Sequence, residues 1–226
     1  MEKIIYLVNG TLSESYEQFK NRVFEALSFL VNSENPAALK LVLTEFAPPG
    51  ISIIPFRKQK VASVSVFQEH KVPSDSICRM EGFSGVYSVT EALPVAYTKV
   101  WSDGEATPGV CLFTLFNQKM DISYTTFIDR WHNSHTPLSL KLHPLWNYSR
   151  NVVNEKLTAN SAIWDGIVEE HFRTRADLLN PFKFFGNPLT ILPNMLKVYA
   201  DTKSFLDFKN LETYLATEYW IVSKNF

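Results

Sequence analysis

The segment Trp131-His132-Asn133-Ser134-His135-Thr136-Pro137-Leu138 places two imidazoles three residues apart, after an aromatic-rich amphipathic stretch and directly before a proline. Imidazole exchanges protons near neutral pH and ligates transition metals, so proton transfer and metal binding are the chemistries to test first. Further ionisable groups follow at His143, Asp165 and Glu169 to His171, whereas the first half holds one histidine, His70. On a helical wheel of about 100° per residue, Phe127, Trp131 and His135 fall within one third of the circumference, and His132 lies towards its edge. Desolvation on an apolar face favours the neutral imidazole, the state that accepts a proton or binds a metal. A second reading stays open, in which His135 is a core histidine bonded to a backbone carbonyl freed where Thr136-Pro137 breaks the helix. A metal site would join His132 and His135 to a carboxylate from elsewhere, but no HExxH or matching second pair accompanies them, and no metal is assigned.

Strict alternation along a strand over Ile163 to Phe172 puts Trp164, Val168 and Phe172 on one face and Asp165, Ile167, Glu169 and His171 on the other. Turned inward, the three ionisable groups would perturb one another and form an acid/base site; turned outward they would be a salt-bridged surface. Trp146, Tyr148, Arg150 and Val152 share a face of a neighbouring strand, where Tyr148 either hydrogen-bonds a ligand or packs. No GxGxxG, GxxxxGK or GxSxG is present, so no nucleotide loop or nucleophile elbow is expected.

These groups must be held by a sizeable scaffold. The chain has 226 residues, 46% hydrophobic and 20% charged, enough for one large core or two small ones. Its net charge of −1 offers no basic excess for phosphates, which excludes nucleic acid as an expected partner. The apolar run Ile4 to Val8 is too short for a signal core or a membrane span, so a cytoplasmic protein without a membrane partner is expected. Cys78 and Cys111 have no metal-ligand spacing. Aromatic residues make up 14% of the chain, enough to line an apolar ligand pocket as well as a core.

The elements run twice through one order. Ile4 to Val8 reads as a strand. Ser13 caps a helix with Tyr16, Phe19, Val23, Leu27 and Leu30 on one face, ended by Asn35-Pro36. Leu39 to Phe46 and Val61 to Phe67 are strands, Pro73 to Met80 a short helix and Val86 to Val89 a strand. Asp103-Gly104 and Pro108-Gly109 then mark a boundary. Val110 to Phe116 is a strand, Ser123 caps the helix that carries the histidines, and Trp146 to Val153 and Ile163 to Phe172 are strands. A proline-containing helical region lies between Asp177 and Phe205, and Tyr214 to Val222 is the last strand. Two consecutive strand-helix-strand-strand-helix-strand units predict an α+β fold of two ferredoxin-like units, residues 1-103 and 104-226. Their antiparallel sheets would face each other as a barrel, with two independent domains as the alternative.

The pattern Phe127-x-x-x-Trp131-x-x-x-His135-x-Pro137-Leu138, followed by Leu145-x-x-Tyr148 and Trp164-Asp165-Gly166, resembles the EthD family of the dimeric α+β barrel superfamily. The likeness is close over residues 108 to 175, with the first half a divergent copy lacking the His-x-Pro-Leu signature. It implies an intramolecular pseudo-dimer, with further pairing of pseudo-dimers left open. It also implies oxidation, dehydration or decarboxylation of aromatic or polyketide-like compounds, without an organic cofactor. On that resemblance His135 matches the family histidine, and Tyr148 and Asp165 its tyrosine and aspartate. The expected site therefore comprises His135 as acid or base, Tyr148 orienting a substrate oxygen, and Asp165 or Glu169 setting the imidazole tautomer, with His132 in support. Phe127, Trp131, Trp164, Leu138, Arg150 and His171 would contact a small apolar or aromatic substrate. A non-catalytic binding or stress-related accessory protein with the same pocket is the alternative.

Overall fold

The computed structural model describes residues 1–223. Its strands are β1 (Glu2–Asn9), β2 (Ala38–Leu43), β3 (Val61–Gln68), β4 (Phe83–Val95), β5 (Val110–Phe116), β6 (Leu145–Lys156), β7 (Gly166–Phe172) and β8 (Glu212–Val222). They form a closed antiparallel barrel in the order β1-β3-β2-β8-β5-β7-β6-β4. The first four strands lie side by side as β4-β1-β3-β2 and the last four as β8-β5-β7-β6, so the two halves repeat one order. The seams are β2 with β8, where Leu41 faces Tyr219, and β4 with β6, where Thr90 faces Val152. Closure leaves no unpaired edge, so the long β-rich runs do not invite further pairing.

Successive side chains in each strand enter different cores. Ile4, Tyr6 and Val8 of β1 point outward and pack under α1 (Tyr16–Glu34), whose Phe19, Val23, Leu27 and Leu30 are buried at helical spacing. The cap is Ser15 rather than Ser13, because Ser15 accepts from the Gln18 amide while the Gln18 side chain accepts from the Ser15 amide. The left-handed Asn35 ends the helix (φ 44°). The short α2 (Asp75–Cys78) completes that side. Ile5, Leu7, Val42, Val89, Phe113, Ile167 and Tyr214 point inward and fill one end of the barrel.

The second half is covered by α3 (Tyr124–Asp129), a π-helical segment (Arg130–His135) and α4 (Thr136–Leu142), followed later by α5 (Arg175–Leu179), α6 (Pro181–Phe184) and α7 (Ile191–Phe205). The expected break at Thr136-Pro137 is absent. Thr136 keeps helical angles (φ −58°, ψ −50°), and its amide reaches back five residues to the Trp131 carbonyl. Its hydroxyl donates to the same oxygen at 2.9 Å. The wider turn relieves the clash a proline ring would make with the previous turn, so the chain stays helical through Pro137. The strand expected from Ile163 begins only at Gly166, and the region from Asp177 onward is divided among three helices.

Candidate active site

Between the outer face of the second sheet and its helices lies a cavity of about 210 Å³. Its walls are mainly apolar, with Leu112, Phe116, Trp131, Val168, Phe184 and Phe205 among them. Into it project His135, Ser139, His143, Tyr148 and Glu170. Such a combination, apolar walls with a few convergent polar groups, is the usual form of a small-molecule site.

His135 is fixed at both ring nitrogens. Its Nδ1 lies 2.7 Å from Oδ2 of Asp201 on α7, and its Nε2 lies 3.2 Å from the Ser139 hydroxyl one helical turn on. The other Asp201 oxygen accepts from Ser134 at 2.6 Å, and Arg130 donates to the Ser204 carbonyl at 2.6 Å, tying α7 to the π segment. Burial alone would raise the Asp201 carboxyl, but the hydrogen bonds from His135 and Ser134 outweigh it and hold the group below the ordinary carboxylate range. An ionised carboxylate on Nδ1 sets the tautomer that carries its proton there and leaves Nε2 as the proton acceptor facing the cavity.

Glu170 supplies the complementary group. It stands opposite Tyr148 across the β6–β7 pair and opposite Leu112 across β5–β7. Burial among these walls pushes its carboxyl up to about 7, against the opposing influence of the nearby His135. Burial likewise raises the Tyr148 phenol, which stays a protonated donor. His143 closes α4, bonds through Nδ1 to the Phe184 carbonyl at 2.9 Å and stacks on the Phe184 ring at 3.9 Å. Burial lowers its pKa to about 4, so it is neutral at physiological pH. Two groups with opposite responses to burial thus share one cavity, the arrangement from which acid/base pairs are made.

Of the residues singled out in the sequence, His135, Tyr148 and Trp131 line this cavity. Phe127 is fully buried behind it against Phe116, Trp131 and Phe205, and Leu138 is buried away from it. Arg150 lies over the Trp131 ring and donates to the Thr136 hydroxyl at 2.8 Å, supporting the wall from outside. His132 packs edge-on to Trp131, with its Nε2 buried and without a hydrogen-bond partner. Asp165 does not reach His135. It precedes β7 at the far rim, where its carboxylate accepts from the Gln118 amide at 2.8 Å, and Trp164 packs there against the barrel interior. Glu169 and His171 point into the barrel, Glu169 onto Lys40 and His171 to within 3.3 Å of Glu218. Neither can set the tautomer of an imidazole on the other side of the sheet.

Asp201 and Glu170 take the places expected of Asp165 and Glu169. The alternation that aligns Val168 with Phe172 also aligns Glu170 between them, so that signal was present in the sequence. Asp201 left a weaker one, a single acid bordering the cavity-facing positions Val198, Thr202 and Phe205 on α7. Among the described residues no group of three or more His, Cys, Asp or Glu is placed to hold a metal ion, and no helix is long and apolar enough to cross a membrane.

No family model matches the chain, and no curated protein matches it. Solved structures do. An anthrone oxidase-like protein superposes with a TM-score of 0.61 at 6% identity, covering 99% of this chain and 94% of that one. A candidate monooxygenase from Fusobacterium nucleatum gives 0.52 at 9% identity, covering 97% and 92%. At these identities the likeness is one of fold, the closed antiparallel barrel flanked by helices, and transfers no residue roles.

Proposed function

We propose that this protein is an enzyme that takes a proton from a small aromatic or polyketide-like carbon acid held in the cavity beside His135. The observation that carries the proposal is the pairing of an imidazole oriented by Asp201 at 2.7 Å with a carboxyl poised at about 7 in the same apolar cavity. The Nε2 atom of His135 accepts a proton from carbon next to a carbonyl. Protonated Glu170, with the Tyr148 phenol beside it, donates to the carbonyl oxygen as it gains charge. Ser139 holds Nε2 until substrate displaces its hydroxyl. The resulting enolate can expel a β-hydroxyl group, which leaves as water with a proton from the site, giving dehydration, or pass its electrons to dioxygen, giving oxidation; the proton-transfer step is common to both, whereas decarboxylation would form the same enolate by loss of carbon dioxide and take a proton back at carbon.

The reading extends to the architecture. Residues 1–103 and 104–226 are proposed as two ferredoxin-like units forming a pseudo-dimer, supported by the repeated strand order. The second unit is proposed as EthD-like, because the histidine of its His-x-Pro-Leu segment, His135, lies on the cavity wall. A capture protein without turnover is disfavoured by an open cavity beside His135 and a second ionisable group facing it.

Anthrone, whose ring methylene is a carbon acid, is a suitable probe. Under anaerobic conditions the protein should accelerate exchange of the methylene protons with deuterated water, and in air it should accelerate oxygen uptake. His135→Asn keeps a donor towards Asp201 and removes Nε2; exchange should fall by about 100-fold or more with the fold intact. A folded His135→Asn protein with undiminished exchange, or a protein that binds aromatic carbon acids without accelerating exchange, would refute the proposal.

A further inference from the structure

A second cavity, of about 340 Å³, opens at the opposite end of the barrel interior from the apolar filling. The connection between the two halves crosses this mouth, and Tyr97 from it donates to Glu218 while accepting from the Trp220 indole at 2.7 Å. Below lies a buried charged network. Lys40 is held by Glu169 and Glu218, and Lys3 donates to Glu91 at 2.7 Å and to Asn151 at 2.8 Å. Two lysines against three glutamates leave one uncompensated negative charge with His171 neutral, its pKa lowered by burial. A net charge in a low-dielectric interior calls for a counter-charge.

The free valences point the same way. Asn147 is 5% exposed and lines the cavity, and its side-chain amide has no hydrogen-bond partner among the described residues. Its amide atoms are not among the buried unpartnered ones, so they open onto the cavity, where a polar group can bond them. Glu91, also in the lining, accepts from Lys3 and Ser149 through Oε1 only, which leaves Oε2 open. Burial opposes ionisation of Glu91, but the charges of Lys3 and Lys40 outweigh it and hold its pKa at about 2. Both cations of the lining are engaged already, Lys40 as above and Lys99 with Asp103 at 2.9 Å. An anion would meet only the Asn147 N–H donors beside the ionised Glu91 and no unengaged lysine, whereas a cationic N–H donor finds both Glu91 Oε2 and Asn147 Oδ1. The remaining walls, Tyr97, Trp220, Leu93 and Ala96, suit a flat or apolar body.

From these observations we infer that the barrel mouth is a second ligand site, distinct from the His135 cavity, that takes a small organic cation with an ammonium or amidinium head and an apolar body. The head sits between Glu91 and Asn147 and the body lies against Tyr97 and Trp220, where aromatic faces also attract a cation.

The test is titration with benzylammonium, read by tryptophan fluorescence and by calorimetry, against benzoate and benzyl alcohol as an anion and a neutral molecule of similar shape. Saturable binding of benzylammonium is expected, at least about tenfold tighter than either comparison compound, with loss of about tenfold or more in Asn147→Leu. Ala96→Trp, at the exposed lip and away from the network, should block binding without disturbing the fold, and His135→Asn should leave it unchanged. Equal or tighter binding of benzoate, unchanged affinity in a folded Ala96→Trp protein, or loss of binding in His135→Asn would overturn the inference.

Discussion

Replacing Glu170 by Gln keeps the shape of the side chain and removes its charge, so the variant isolates the cost of ionising a carboxyl in the cavity. The folded protein raises this group from an ordinary 4.5 to about 7. A carboxyl with a raised folded pKa binds more protons in the folded than in the unfolded chain between those values. The stability it contributes is therefore complete below pH 4.5 and is lost as pH rises to 7. At about 1.4 kcal/mol per pH unit the loss amounts to about 3 kcal/mol at most. His143 works in the opposite sense, because its pKa falls from 6.5 to about 4; its contribution is complete above 6.5 and is lost on acidification. Between pH 4.5 and 6.5 the two slopes nearly cancel in the native sequence, and Glu170→Gln leaves that of His143 exposed. Urea unfolding at intervals from pH 4 to 8, with the difference between variant and native protein taken at each pH, cancels every other titrating group. The variant should gain about 3 kcal/mol on the native protein across that range. A difference constant to within about 0.5 kcal/mol would mean that water reaches the carboxylate freely, and the acid role of Glu170 would fall with it.

Two further substitutions test the supports of the two sites. A Cβ on Gly166 would stand 2.3 Å from the tip of the Phe116 ring and 2.9 Å from the Trp131 indole. Gly166→Ala should therefore cost about 1–3 kcal/mol by denaturant unfolding and weaken ligand binding at the His135 cavity, which both rings line; a loss under about 0.5 kcal/mol would show that this wall yields. Lys40→Met removes the cation between Glu169 and Glu218 and should cost about 3–5 kcal/mol near neutral pH, with part recovered in Lys40→Met/Glu169→Gln. A single variant as stable as the native protein would show that the barrel mouth is more hydrated than its burial implies.

How far the sequence discloses this molecule depends on the range of the interaction. Val110 to Phe116 is read to the residue because a run of β-forming apolar side chains bounded by glycine is a local signal, and β5 has those limits. The histidine helix is read correctly up to Thr136-Pro137, where the usual steric rule predicts a break. The π turn that avoids it depends on the Thr136 hydroxyl bonding back to Trp131, and no periodicity announces such a turn. Asp201 is the opposite case. It lies 66 residues from His135, on a helix whose crossing angle is set by packing, so no spacing rule couples the two.

Strand β7 shows why a strand with charges on successive residues divides a molecule into compartments. Glu169 and Glu170 are neighbours in the chain with like chemistry, yet the pleat sends one into the barrel and the other into the His135 cavity. Inside the barrel Glu169 is paired with the Lys40 ammonium. In the outer cavity no lysine or arginine among the described residues bonds Glu170, and burial favours the protonated form instead, up to about pH 7. The same residue type is therefore paired with a lysine on one face and, on the proposed reading, a proton donor on the other, and a shift of one residue in the β7 register would exchange the two. That register is held by two full antiparallel ladders, Phe113 opposite Glu169 on one side and Ser149 opposite it on the other. The closed barrel is thus more than a support for the helices. By fixing β7 between β5 and β6 it decides which glutamate faces the His135 cavity.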